Sequence, residues 1–376
     1  MKTARLLIPV LAVSLFINAN SVSRAKNRSL ADADREIAAR FAPIFYQALG
    51  DRPRSDYITN FDFDGDWRGD NNWENAANET FPLNAYIYYA VAETSTHLFI
   101  HYAVFHPRDY KGGEIRGTIL SELIREGVKR GGKYDPTGLA DEATLAHEND
   151  MEGALVTVEK NGKDLGHARV MFVETLHHNE FSHYAAAGIS EERFSSVSVD
   201  GQHPLLYVEP KGHGIEAYSA VTKQVANKDF LRYAFAGRAS DPDRLNAICH
   251  DLPETPCERS VGYDLISLQS LWSKAHNKDE HVYGETYDYG KVTISLSLKG
   301  KEPIQKTISV GKVGCAFLGK VGGENMARPP WGWFSLGGSN DSLGNAFFDP
   351  ASSVKRAYGL NDNFSVAYVR LPFWAD

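Results

Sequence analysis

The stretch His147-Glu-Asn-Asp150-Met-Glu152-Gly-Ala154-Leu-Val156-Thr-Val158-Glu159 reads as a β-strand with a charged entrance. Successive side chains of an extended chain alternate between faces, so Asp150, Glu152, Ala154, Val156 and Val158 share one face. The apolar end of that row belongs in a core, which leaves its acidic end at the rim of a sheet. His147 is out of phase with the row and joins it only if the chain bends before the strand. Just beyond, Asn161-Gly162 separates 153–159 from 167–173 and marks a tight hairpin.

The same pattern repeats along the chain. Residues 86–92 and 98–105 are aromatic and β-branched runs around Glu93-Thr-Ser-Thr-His97, and 195–199 and 204–208 flank Asp200-Gly201. Residues 291–298 and 307–310 bracket a glycine-containing loop. Helical spacing is confined mainly to 119–129 and 264–274, plus a first helix that Ser29 caps, with Asp32 at its third position and Pro43 beyond its end. These signals predict a mainly β protein, an antiparallel β-sandwich with loop and short-helix insertions. Residues 26–376 form a single domain in this reading, with an insertion at about 110–146.

The N-terminus reads as an export signal over residues 1–25, with Lys2 and Arg5 ahead of an apolar run from Leu6 to Ile17 and cleavage after Ser21 or Ala25. That run falls short of the roughly 18 apolar residues a membrane span needs, and no later segment reaches that length. The expectation is a secreted or periplasmic protein with no transmembrane segment after signal removal. Removing residues 1–25, which carry Lys2, Arg5 and Arg24 and no acid, takes the formal charge from −8 to about −11. Such a surface repels nucleic acid. Of the three cysteines, Cys249 and Cys257 are close enough in sequence to close a short loop in an oxidising compartment, while Cys315 sits in an apolar setting suited to a buried thiol.

One imidazole and three carboxylates within His147–Glu152 form a metal-site composition. Like charges at this density repel unless a cation or solvent compensates them. Carboxylate oxygens with a single imidazole favour Ca²⁺ or Mg²⁺ over Zn²⁺. A zinc-protease helix is excluded, because Met151 occupies the second His position of His-Glu-x-x-His.

His147, Asp150 and Glu152 match, at identical spacing, the first His, the Asp and the Glu of a Gly-His-Arg-His-Asp-Trp-Glu heptapeptide. The chain thereby resembles the necrosis- and ethylene-inducing proteins, secreted β-sandwich cytolysins of plant-associated microbes, and the related secreted group of vacuolar protein sorting-like type. Met151 stands where the motif has Trp, and Asn149 where the toxins have a second His. Tyr102-Ala-Val-Phe105-His-Pro107-Arg-Asp109 is similar to a segment that supplies the family with a further Asp ligand. Leu205-Leu-Tyr-Val208-Glu-Pro-Lys-Gly212-His213-Gly214 is similar to a strand ending in a Gly-Ser-His-Ala-like turn. The likeness spans about residues 40–215, with Pro330-Trp-Gly-Trp333 and Phe348-Asp-Pro350 as later echoes. It implies a divalent-cation site made by Asp109, His147, Asp150 and Glu152, with His213 near it, and a glycan or lipid headgroup as partner, in a cytolysin-like protein.

Two further readings stay open. A metal-dependent hydrolase of phosphoester or glycan substrates would use Glu148 or His213 as general base for a metal-bound water, and a purely structural ion would only brace the fold. No nucleophile elbow, phosphate-binding loop or dinucleotide fingerprint is present. Three other groups are candidates on composition: Asp62-Phe-Asp64-Gly-Asp66-Trp-Arg-Gly-Asp70 as an irregular Ca²⁺ loop or a plain acidic turn, His177-His178 with His183 as a metal or acid/base group, and Trp331 and Trp333 as an exposed aromatic platform or core.

Overall fold

The computed structural model describes residues 29–50, 52–109, 147–162, 165–178, 180–189, 193–219, 230–247, 257–276, 281–320, 327–335 and 343–375. The expected export signal, the helix at 119–129 and the insertion at 110–146 lie outside these residues.

Helix α1 (Leu30–Arg40) starts where Ser29 Oγ accepts a hydrogen bond from the Asp32 N–H, as the capping pattern predicts. It leads into β1 (Ile44–Ala48), followed by two short helical segments, α2 (Pro53–Asp56) and α3 (Asn72–Ala77). The hairpins expected from the sequence form. β2 (Tyr86–Thr94) pairs antiparallel with β3 (His97–Asp109), and β4 (His147–Glu159) with β5 (Arg169–His177); β3 also pairs antiparallel with β4, a contact the sequence did not announce. β6 (Glu180–Ala186) continues this antiparallel series, and β7 (Ser195–Val197) then adds to β6 in parallel. The short β8 (Val199–Asp200) pairs with β9 (His203–Val208), and β10 (Ile215–Ala217) returns along β9.

The architecture is mainly β, but the antiparallel sandwich is corrected to a mixed, barrel-like sheet. Its main path runs β10-β9-β1-β11-β12-β2-β3-β4-β5-β6-β7, where β11 is Phe230–Phe235 and β12 is Glu258–Ser267. β1 runs parallel to β9, and β12 runs parallel to both β11 and β2. At the far end of the path β10 packs back onto β5 and β4, so the sheet nearly closes. Closure of this kind shields strand edges that a flat sheet leaves open.

One expected helix is replaced by strand. Residues 264–267, read as the start of a helix, belong to β12, and only α4 (Gln269–Ala275) is helical. Parallel pairing with β2, from Asp264 opposite Tyr86 to Ser267 opposite Tyr89, outweighs the weak helical spacing of Asp264-Leu-Ile-Ser. β13 (Tyr283–Asp288) pairs with β16 (Lys312–Phe317) in a separate two-stranded sheet, and β14 (Lys291–Leu296) pairs with β15 (Ile304–Ser309) as expected. Two helices, α5 (Asn345–Phe348) and α6 (Pro350–Tyr358), precede the last strand, β17 (Ala367–Arg370).

One hydrophobic cluster runs from Ile37 to Ala375. Trp331 and Trp333 belong to it, which removes the exposed-platform reading. The indole of Trp331 donates to Gly314 O (2.6 Å), and that of Trp333 donates to Met151 O (3.0 Å) and Arg328 O (2.9 Å). Trp333 lies over Gly153, where an added Cβ would stand 2.6 Å from the indole and 2.1 Å from Tyr102 O. Glycine at 153 thus lets this aromatic cover seat directly beside the acidic strand entrance. Cys257 is disulfide-bonded and Cys315 is free and buried; the expected partner, Cys249, lies outside the described residues.

Candidate functional site

The acidic strand entrance is buried, at the junction of β3, β4, α2 and the β9–β10 turn. In the β3–β4 ladder, His106 faces Asp150, Val104 faces Glu152 and Tyr102 faces Ala154, which puts the predicted row on one face. Asn149 has a left-handed backbone, with φ of 59°, and supplies a bend between His147 and that row. Its side chain holds the bend in place. Nδ2 donates to Gly69 O (2.8 Å) and Leu318 O (2.9 Å), and Oδ1 accepts from Asn72 Nδ2 (2.7 Å).

Glu148 is turned to bracing work. Its oxygens accept from the Trp73 N–H (2.7 Å) and the Lys320 N–H (2.6 Å). Arg108, its cross-strand partner, donates through Nε to Trp73 O (2.6 Å). Between them they fix α3 to the sheet. A carboxylate held by two backbone donors is poorly placed to collect a proton from water.

His147 lies opposite Asp109, with Nε2 3.3 Å from Asp109 Oδ2. Its Nδ1 is 2.7 Å from Asn149 O, and a carbonyl only accepts, so Nδ1 carries a proton. In the neutral ring Nε2 then presents a lone pair to a carboxylate. That contact is repulsive unless a proton or a cation lies between the two. Backbone-carbonyl anchoring of one ring nitrogen is also the arrangement that fixes a metal-binding histidine's tautomer.

Glu152 is 6% exposed. One oxygen accepts a 3.3 Å bond from the His178 N–H, and Oε2 has no hydrogen-bond partner among the described residues. Burial, then Asp150 and Asp109, push its pKa well above the ordinary carboxylate range, against a pull from the His178 N–H and His213.

His213 sits in the β9–β10 turn with a left-handed backbone (φ 54°) and is fully buried. Its Nδ1 is 2.9 Å from Asp150 Oδ2 and its Nε2 is 3.2 Å from Asp56 Oδ1. Burial opposes the imidazolium, but the hydrogen bonds and charges of Asp150 and Asp56 outweigh it and raise the pKa to about 10. With a carboxylate oxygen at each ring nitrogen, both nitrogens donate and neither presents a lone pair to act as a base. Asp56 is itself fixed by the N–H groups of Gly50 (2.6 Å) and Lys211 (2.8 Å). His106 stacks on His213 with ring centres 3.8 Å apart, and burial followed by the neighbouring His213 charge keep it neutral. Gln47 Nε2 lies 3.0 Å from His106 Nε2. His106, Asp150 and His213 bring potential ligand atoms within 4.8 Å of one another.

Asp56 and His106 were not singled out from sequence. Pro53-Arg-Ser-Asp56 carries no recognisable motif, and His106 reads as an ordinary strand residue until its neighbours are known. His177 and His178 join Glu209, while His183 lies on β6 opposite Glu174, away from them. The Asp62–Asp70 segment is a chain of turn caps. Asp64 accepts from the Asp66 N–H (3.1 Å) and Asn75 Nδ2 (2.6 Å), Asp66 from the Arg68 N–H (2.7 Å) and Asn71 Nδ2 (3.0 Å), and Asp70 pairs with Arg68. These bonds support the plain acidic turn over a calcium loop.

No family model and no curated protein matches the chain. Solved structures similar to it are necrosis- and ethylene-inducing proteins, the group its motif resembles. One is described as a toxin fold for microbial attack and plant defense (14% identity, 51% of this chain and 71% of that one, TM-score 0.29). Another is the NLPPya protein in complex with mannosamine (15% identity, 52% and 71%, TM-score 0.28). A third is Necrosis and Ethylene inducing Protein 2 from the causal agent of cocoa's witches' broom disease (14% identity, 65% and 80%, TM-score 0.27). The TM-scores are low. Among the described residues no helix is long and apolar enough to cross a membrane.

Proposed function

We propose that this chain is an exported binding protein whose buried acidic site takes one divalent cation through Asp109, His147, Asp150 and Glu152. The observation that carries this reading is the His147 contact. Its Nδ1 is committed to Asn149 O, which turns Nε2 toward Asp109, and Asp150 and Glu152 are two further buried carboxylates on the same strand as His147. The Glu152 oxygen without a hydrogen bond fits the same cation. Oxygen donors with one imidazole suit Ca²⁺ or Mg²⁺.

Such ions take about six to eight ligands, so four side chains leave positions for oxygens from outside the protein. In this reading the ion bridges to hydroxyl or phosphate oxygens of a glycan or lipid headgroup, the partner class that the motif resemblance implies. Binding is favoured over hydrolysis because the two candidate bases are otherwise engaged: Glu148 by two backbone N–H groups, His213 as a cation between two aspartates.

The test is calcium-dependent binding of the purified chain to a glycan array and to lipid vesicles, with Glu152→Gln as comparison. Binding that needs Ca²⁺ and is lost in the variant is expected. Ion uptake without any ligand capture supports a structural ion instead, and turnover of a phosphoester or glycan that Glu148→Gln abolishes supports the hydrolase.

A further inference from the structure

A second group of metal-binding side chains lies at the rim, on the solvent side of the buried site. His177 ends β5, His178 follows it, and Glu209 follows β9. His177 Nε2 is 3.1 Å from Glu209 Oε1, and His178 Nε2 is 3.0 Å from Glu209 Oε2. All three side chains are about one-third exposed, and their ligand atoms fall within 4.8 Å of one another.

We infer that His177 Nε2, His178 Nε2 and the Glu209 carboxylate form a separate site for a borderline transition-metal ion of the Zn²⁺ class. Adjacent residues on a strand point to opposite faces, so two neighbouring imidazoles converge only if the backbone turns. His178 turns it, with φ of 47°. The Glu209 N–H donates to Gly214 O (3.0 Å), which holds the carboxylate beside both rings. A Cβ on Gly214 would stand 2.4 Å from His177 Cδ2, so the glycine leaves the space that the ring occupies.

Tetrahedral bonds of about 2.0–2.1 Å separate ligand atoms by roughly 3.3 Å, and the present nitrogen–oxygen contacts, made to the two different oxygens of Glu209, lie close to that spacing. Two imidazoles and one carboxylate leave the fourth position to water. Nitrogen-rich donors of this kind select Zn²⁺, Co²⁺ or Cu²⁺ over Ca²⁺ and Mg²⁺. His178 serves both clusters, its peptide N–H pointing inward to Glu152 and its ring outward to Glu209.

The experiment is a titration of the full chain with Co²⁺ in excess Ca²⁺, read by visible absorption. One equivalent of Co²⁺ is expected, displaced by Zn²⁺, with affinity reduced at least about tenfold in His178→Gln and in Glu209→Gln. Glu152→Gln, whose amide oxygen still accepts the His178 N–H, should bind Co²⁺ within about threefold of the wild type. Thermal melts of each variant check the fold, and two separate variants guard against misfolding of either one. The inference is overturned if the wild type takes up no Co²⁺, if both rim variants bind it as the wild type does, or if Glu152→Gln is the variant that loses it.

Discussion

The two clusters invert each other. Inside, one imidazole stands between two carboxylates, His213 between Asp56 and Asp150; at the rim, one carboxylate stands between two imidazoles, Glu209 between His177 and His178. Burial separates their behaviour further. The inner residues are almost fully covered, and the aspartates raise His213 to about 10 against the cost of burial. At the rim, hydrogen bonds from the two histidines hold Glu209 far below the ordinary carboxylate range, and Glu209 in turn raises His177. The same two donor groups, imidazole and carboxylate, thus give an oxygen-rich inner site and a nitrogen-rich outer one, and donor type is what sorts hard from borderline metal ions.

The largest expected effect comes from breaking the inner arrangement. Asp56→Ala removes one of the two carboxylates that compensate a fully buried imidazolium, and loss of one partner of a buried pair costs about 3–5 kcal/mol. Urea denaturation should show this as a lowered midpoint with little change in slope. A midpoint equal to the wild type's would mean that His213 does not depend on Asp56.

Another histidine sharpens the comparison by lacking carboxylates. His101, buried on β3 with its ring edge-on to Phe347, is pushed down to about 4 by burial, with a weaker opposing pull from the Ala346 backbone. Its folded pKa lies below the ordinary value of 6.5, so the unfolded chain takes up its proton first as pH falls. The stability tied to the neutral ring is therefore present above pH 6.5 and lost between there and about pH 4. The size is on the order of 3 kcal/mol. His97, lowered to about 4 mainly by burial, adds a loss over the same range. His101→Phe should flatten part of the acid limb of a stability–pH profile, and an unchanged limb would contradict the assignment.

The smallest effect is expected at the rim. Glu209→Gln breaks two partly exposed ion pairs, each of a kind worth about 0–1 kcal/mol, so the metal-free melting temperature should move by only a few degrees. A drop as large as that of Asp56→Ala would erase the distinction between the clusters.

What the sequence made legible was local. The β2–β3 and β4–β5 hairpins, the Ser29 cap and the shared face of Asp150 and Glu152 follow from side-chain period and turn residues a few positions apart. Parallel pairings such as Ile44 with Leu205 join segments with no turn between them, which is why the sandwich reading missed the mixed sheet. The site divides in the same way. His147, Asp150 and Glu152 stand in one motif, whereas Asp56 and His106 arrive from α2 and mid-β3 and acquire meaning only beside His213. Glu148 counted toward the metal-site composition, and Asn149 stands where the toxin motif has a second His. Their side chains instead tie the strand entrance to Trp73, Lys320, Gly69 and Leu318, and the left-handed backbone that permits this at Asn149 has no obligatory sequence signal.

The central claim is that the buried carboxylates take a hard divalent cation, and calorimetric titration of the metal-stripped chain with Ca²⁺ tests it most directly. The expected result is one Ca²⁺ per chain, bound at least about tenfold more weakly by Glu152→Gln and unchanged by His178→Gln. Absence of Ca²⁺ and Mg²⁺ binding by the wild type, or equal binding by Glu152→Gln, would contradict it.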